Sequence, residues 1–222
     1  MKRHMTKSIR AVESRERILE AALRVFAEYG YDGTTIRMIC ESAGMSVGVI
    51  NYHWGGKEGL WQSVCELCTQ RILDILMESA DYTLPPHEAI RSLFESLFDA
   101  LLAHRELLRI FMWAILEAET IDYHSTRRQF RPLVDFGAAY LKEKQGQGRI
   151  PETDVKLALM AVRALFIFAF VDSSGHRQTF GKDLSDPAHA ERVKATLIRA
   201  SMAILGLETP GHAARQAIDG MP

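Results

Sequence analysis

Along most of the chain, apolar residues return every three or four positions, and no stretch alternates with the two-residue period of a half-buried strand. The pattern predicts an all-α protein. Ile18, Ala22, Val25, Phe26 and Tyr29 share one face of a first helix, Ser14 to Tyr29, which Gly30 stops. Ile36, Ile39 and Cys40 fall at i, i+3 and i+4, so a short second helix begins at Thr34 or Thr35. It closes at Ala43-Gly44, where glycine takes a left-handed turn without a Cβ penalty. Ser46 is then placed to N-cap a third helix, Val47 to about His53, with Val49 and Ile50 turned back onto the second. Gly55-Gly56 breaks the chain before a long fourth helix, Lys57 to about Ser79, whose Glu58 suits the positive end of the helix dipole.

Pro86 opens a fifth helix carrying Phe94, Leu97, Phe98 and Leu101 to about Ala103, and a sixth follows from His104 or Arg105 to about Glu119. After a polar loop at 122–126, a seventh starts near Ser125 and reaches Lys144, with Pro132 expected in its early turns. The eighth, Asp154 to Val171, is apolar around most of its circumference and must be covered on several sides. A loop is expected over 172–186, then a ninth helix from Pro187 to Leu205 that stops at Gly206. Residues 208–222 have no apolar stripe and read as a mobile tail.

The second and third helices, joined by a tight glycine-containing turn, form a helix-turn-helix, the motif that offers its second helix to a DNA major groove. Val47, Gly48, Asn51, Tyr52 and His53 are left on or near its outer surface.

Composition narrows this picture. With 222 residues and 47% hydrophobic content the chain can bury a full core in one or two domains. The formal charge of -1 argues against indiscriminate coating of nucleic acid, yet it conceals an asymmetry. Residues 1–17 carry Lys2, Arg3, Lys7, Arg10, Arg15 and Arg17 against Glu13 and Glu16, which suits phosphate attraction and equally a short solvated tail. The opening MKRHMTKSIR has no apolar core of a secretory signal, and the apolar run from Leu157 to Val171 is interrupted by Arg163 and falls short of the roughly 20 residues a membrane span needs. A cytoplasmic location without membrane contact is expected. Cys40, Cys65 and Cys68 make no disulfide framework, and the Cys65-x-x-Cys68 pair on a continuous helix lacks the second pair of soft ligands a metal would need. No phosphate loop or nucleophile elbow is visible, so neither cofactor nor enzymatic role is expected.

Residues 16–60, ERILEAALRVFAEYGYDGTTIRMICESAGMSVGVINYHWGGKEGL, resemble the DNA-binding domain of the TetR family of transcriptional regulators. The resemblance lies in Arg17-Ile18-Leu19, Phe26, Gly30-Tyr31, Thr34-Thr35, Ala43-Gly44, Ser46, Gly48, Tyr52-His53 and Lys57-Glu58-x-Leu60. Val47, Asn51 and Trp54 depart from the commonest pattern, where lysine, tyrosine and phenylalanine are frequent. The resemblance implies a homodimer of about nine helices per subunit, usually a repressor that leaves its operator when a small molecule binds the C-terminal domain. It divides the chain into a basic arm (1–13), a helix-turn-helix domain (14–60, motif at about 35–54), a ligand-binding and dimerisation domain (61–207) and the tail (208–222).

Carried onto this sequence, the motif assigns phosphate contacts to Thr35, Arg37, Tyr52, His53 and Lys57, and places Ser46 at the start of the reading helix. Base reading falls to Val47 against a thymine methyl, Gly48 for close approach, and Asn51 on an adenine edge. So small a head covers few base pairs, so a dimer on a palindromic double-stranded operator is expected, joined through the eighth and ninth helices. The effector is unknown. Its candidate contacts are Phe98, His104, Arg109, Phe111, Trp113, Glu117, Phe136, Arg163 and Phe166, large soft side chains with a few polar groups among them. Arg163, a charge amid apolar residues, needs a ligand anion or an acid across the dimer. A ligand-independent DNA-binding protein with a structural or cell-cycle role fits the same front domain.

Overall fold

The computed structural model describes residues 2–79, 81, 83–116 and 123–207, with side chains from residue 14 onward apart from 123–127. Ten α-helices and no strand occur among them: α1 (Lys2–Tyr29), α2 (Ile36–Ala43), α3 (Val47–Trp54), α4 (Lys57–Glu78), α5 (Pro86–Ala103), α6 (Arg105–Leu116), α7 (Tyr123–Gly146), α8 (Val155–Val171), α9 (Ser173–Phe180) and α10 (Pro187–Ile204). The chain forms two compact units, one of Met1–Ile75 with Ala100–Leu133, the other of Leu76–Asp99 with Val134–Pro222.

In the first unit, α1 packs on both α2 and α6. Its centre is built from Ile18, Phe26, Ile39, Ile50, Leu60, Trp61, Leu107 and Ile110, all removed from solvent. Trp61 meets Phe26 edge-on at 5.0 Å between ring centroids, and Tyr31 at 5.7 Å. Polar bonds tie the helices around this core. The Trp113 indole N–H of α6 donates to the Ala27 carbonyl in the last turn of α1 at 3.2 Å, and Arg71 of α4 pairs with Glu20 of α1.

In the second unit, Ile90, Ala138, Leu141, Ile150, Val155, Ala158, Ile198, Met202 and Leu205 make one cluster drawn from α5, α7, α8, α10, the segment before α8 and the residue after α10. Phe98 and Phe170 approach to 5.0 Å, and Lys194 grips both oxygens of Asp99 at 2.7 and 2.8 Å.

Three expectations are corrected. First, α1 begins at Lys2, not Ser14: residues 2–13 lack glycine and proline, and Met5, Ile9 and Val12 fall at i, i+4 and i+7, so the helix runs on ahead of the stripe that starts at Ile18. Second, Pro132 lies well inside α7, which starts at Tyr123. In the turn before it, where a proline takes away ladder bonds, the Thr69 hydroxyl donates to the Gln129 carbonyl at 2.8 Å.

Third, the expected loop over 172–186 contains α9, which makes ten helices rather than nine. This helix buries no residue and carries Gly175, so it has no periodic signature. It is held by its ends and by histidines. Asp172 accepts from the Gly175 N–H at 2.8 Å, and His176 bonds the Ala169 carbonyl and the His189 ring, each at 2.9 Å. Pro187–Ile204, the ninth helix expected from the sequence, is therefore α10.

Candidate nucleic-acid interface

The helix-turn-helix is closed by two local devices. Thr35 stands in extended backbone before α2, and its hydroxyl oxygen accepts from the Met38 N–H at 3.2 Å, the N-cap that a threonine there supplies. At the other end Gly44 takes φ 65°, and the N–H groups of Gly44 and Met45 return to Glu41 and Cys40, which turns the chain sharply toward α3. Arg17 of α1 reaches across to donate to the Ala43 carbonyl at 3.0 Å. Ser46 has the extended backbone of an N-cap but makes no capping bond through its side chain, and it is exposed.

Only Ile50 of α3 is fully buried, with Val49 half-buried beside it. The outer face carries Val47 at 45% exposure, Gly48, Asn51, Tyr52 at 84%, and His53. A tyrosine so open to water has no packing reason to be there. Around Gly48 there is open space, whereas a Cβ on Gly59 would lie 2.0 Å from the Trp54 carbonyl oxygen. The end of α3 therefore rests directly on the start of α4. Trp54 is half-buried with the Arg15 guanidinium 5.7 Å from its ring centroid. Arg37 is exposed and paired to Glu41 at 2.9 Å. Lys57 differs from the other candidates, because its ammonium turns inward to the carbonyls of Tyr31 and Thr34 at 2.9 and 3.1 Å.

Arg17 and Gly59 escaped the sequence reading as site residues. Arg17 carries part of the family resemblance, but its bond to the Ala43 carbonyl has no sequence signal, and nothing in a lone glycine near a helix start signals a carbonyl pressed against it.

The effector candidates fall in both units. In the first, Phe111 is buried against Phe130 at 3.9 Å, Trp113 is bonded to α1, and His104 and Arg109 are exposed. In the second, Phe98 and Phe166 are buried, Phe136 is half-buried and Arg163 is exposed. Glu117 lies outside the described residues. Leu157, Met160, Ala164, Phe168 and Val171 follow one another at helical spacing down the exposed side of α8, with Phe168 at 69% exposure. Cys65 and Cys68 are packing residues: burial pushes both thiols up, Cys68 to about 12. No helix among the described residues is long and apolar enough to cross a membrane.

Comparison with known proteins supplies the context. Residues 18–64 match the family described as bacterial regulatory proteins, tetR family, and residues 86–200 match the tetracyclin repressor-like C-terminal domain. The HTH-type transcriptional repressor AcnR of Corynebacterium glutamicum is 41% identical over 66 residues, 30% of this chain and 35% of that protein. The biofilm operon negative regulator IcaR of Staphylococcus epidermidis is 29% identical over 85 residues, 38% of this chain and 46% of that protein. The chain thus spans between a third and a half of the length of these relatives.

Among solved structures, a regulatory protein of the tetR family from Rhodococcus RHA1 superposes with a TM-score of 0.69 at 18% identity, covering 88% of this chain and 98% of the other. Salmonella enterica GusR gives 0.67 at 19%, covering 87% and 96%. Their agreement concerns the fold. With residues 18–64 and 86–200 matched to the two parts of one architecture, and the second match alone covering more than half of the chain, the chain belongs to the TetR family of bacterial regulatory proteins.

Proposed function

We propose that the protein is a homodimeric repressor that holds a palindromic operator and releases it when a small molecule binds the helical region after the head. The observation that carries the reading is the outer face of α3, where Val47, Gly48, Asn51, Tyr52 and His53 are exposed together while Ile50 anchors the helix from behind. On this reading Val47 meets a thymine methyl, Asn51 bonds an adenine edge and Gly48 lets the helix seat closely, each good base contact discriminating by about 1–3 kcal/mol. Thr35, Arg37, Ser46, Tyr52 and His53 set the register on the phosphates.

Repression is favoured by the names of the relatives, a repressor and a negative regulator, to which the head is similar. Pairing is supported by the apolar stripe of α8, which a second copy would cover together with exposed Ala195, Arg199 and Ala203 of α10. Two heads must then match half-sites about 34 Å apart, so a ligand that favours another position of α4 forfeits simultaneous engagement. What matters is its differential affinity for the two states, not tight binding alone.

The test is a gel-shift titration of the purified protein against fragments of its own upstream DNA, with and without cell extract, alongside sedimentation equilibrium. Specific retardation by a dimer, relieved by extract, is expected. A monomer at micromolar concentration, or indifference to every fragment at low salt, refutes the reading.

A further inference from the structure

The lysine at the start of α4 is engaged in a way that a phosphate contact does not require. The Lys57 ammonium donates to the Tyr31 carbonyl at 2.9 Å and to the Thr34 carbonyl at 3.1 Å, and it sits 4.2 Å from the centroid of the Tyr31 ring. Two of its three N–H bonds are thus spent on backbone oxygen, and an aromatic face shields the charge. The side chain is half-buried.

The segment it grips is the turn that launches α2. Thr34 N–H closes the turn onto Tyr31 O at 3.2 Å, so that carbonyl accepts from both the turn and the lysine. Thr34 is buried, its hydroxyl donating to the Gly30 carbonyl at 2.6 Å, and the next residue, Thr35, caps α2. The Tyr31 ring leans on Trp61, one turn further along α4. A phosphate could draw the ammonium out only by taking the lysine donor from the Thr34 carbonyl, leaving the Tyr31 carbonyl to the turn alone, and loosening the α2 entry.

We infer that Lys57 is a positioning residue: it fixes the entry of α2 to the start of α4, so that the reading face is set before DNA arrives, and it neutralises no phosphate. This rests on the DNA-binding reading of α3 and changes the role that family resemblance gives this lysine. The distinction is measurable, because each phosphate neutralised steepens the fall of log K with log salt by about 0.9 on duplex DNA, whereas pre-organisation does not enter that slope.

The experiment measures affinity for a fragment the wild type binds, across a salt series and well below the melting temperature, for wild type, Lys57→Met, Lys57→Gln and Arg37→Ala. Lys57→Met should weaken binding by about tenfold with the salt slope unchanged. Lys57→Gln, a neutral donor able to reach one of the carbonyls, should recover part of the loss. Amide exchange at Thr34 and Met38 should quicken in Lys57→Met and less so in Lys57→Gln. A slope reduced by about 0.9 for each lysine removed, with equal losses for Met and Gln, overturns the inference in favour of a phosphate contact. Unchanged affinity in both folded variants overturns it as well. Should Lys57→Met fail to fold, the Gln variant alone decides by its slope. If the wild type binds no duplex, the functional reading falls instead, so the two failures are distinct.

Discussion

Gly48→Ala separates the folding role of α3 from its docking role. The substitution adds one methyl to the second residue of an exposed helix, where nothing lies within 4 Å of the new Cβ and φ is not in the left-handed region. Within the free protein the change is favourable, because glycine inside a helix costs roughly 0.5–1 kcal/mol relative to alanine; so near the N-terminus the lower figure applies. For a chain of this size that corresponds to a rise in melting temperature of about 1–2 °C. If α3 docks in the major groove as proposed, the same methyl stands between the helix and the groove floor. Lifting α3 by a methyl's width weakens the contacts of Val47 and Asn51, and loss of one such contact, about 1–3 kcal/mol, lowers affinity by about five- to 150-fold per half-site. The assay pairs thermal melting with fluorescence anisotropy on an operator fragment and on a random duplex of equal length. A protein that melts no lower than wild type, loses operator binding and keeps its weak random binding is the expected result. Full operator affinity in a folded Gly48→Ala protein would show that α3 does not approach the bases closely.

Asn51→Ala should relax preference at one base pair of each half-site, seen in a binding selection, and leave random-duplex affinity alone; equal losses on both remove it from the reading set. Gly59→Ala should destabilise the head by about 1–3 kcal/mol, since its Cβ would lie 2.0 Å from the Trp54 carbonyl oxygen, and a denaturant midpoint no lower than wild type contradicts that packing. Asp183 and Asp186, half-buried carboxylates, are both held below the usual carboxylate range, the first foremost by hydrogen bonds from Ser185 and the second foremost by Lys182. Depressed folded values mean stability that is present above the unfolded value, about 3.9, and is lost as pH falls through the folded ones. Denaturant midpoints should therefore decline below about pH 4, and less steeply in an Asp183→Ala, Asp186→Ala double variant. Phe168→Glu, on the exposed stripe of α8, should shift sedimentation equilibrium toward monomer without lowering helical content.

Much of this architecture is legible because apolar spacing and helix punctuation agree. Pro86 opens α5, Gly44 and Gly55 close α2 and α3 in left-handed conformations, and Asp154 caps α8 through the N–H groups of Lys156 and Leu157. Where the two signals part, the sequence misleads. Residues 2–13 carry a thin apolar stripe, Met5, Ile9 and Val12, among basic residues that read as an arm, and α9 has neither stripe nor core, being held instead by Asp172 and a histidine contact to a carbonyl in α8. For the interface, exposure on α3 follows from which residues Ile50 forces outward. The direction of the Lys57 ammonium does not follow, because a long flexible side chain reaches either water or a carbonyl from the same helix position. The same holds for Trp113, an effector candidate by composition whose indole is bonded to the end of α1.

The donors that fix the first unit share a target. Arg17 bonds Ala43 O at the end of α2, Trp113 bonds Ala27 O in the last turn of α1, and Lys57 bonds Tyr31 O and Thr34 O in the turn between them. All lie at helix ends or in a turn, and Tyr31 O among them also accepts from the Thr34 N–H. Helices of eight residues, the length of α2 and α3, are too short to persist alone in water, so their stability comes from tertiary contacts. With Ile39, Cys40, Ala43 and Ile50 supplying burial on one side, these side-chain donors cover the ends, and the face toward solvent is released from any packing duty. That is the condition for a recognition surface to vary in sequence while its frame holds. The same bonds tie α6 to the last turn of α1 through Trp113, and the Tyr31–Thr34 turn to α4 through Lys57.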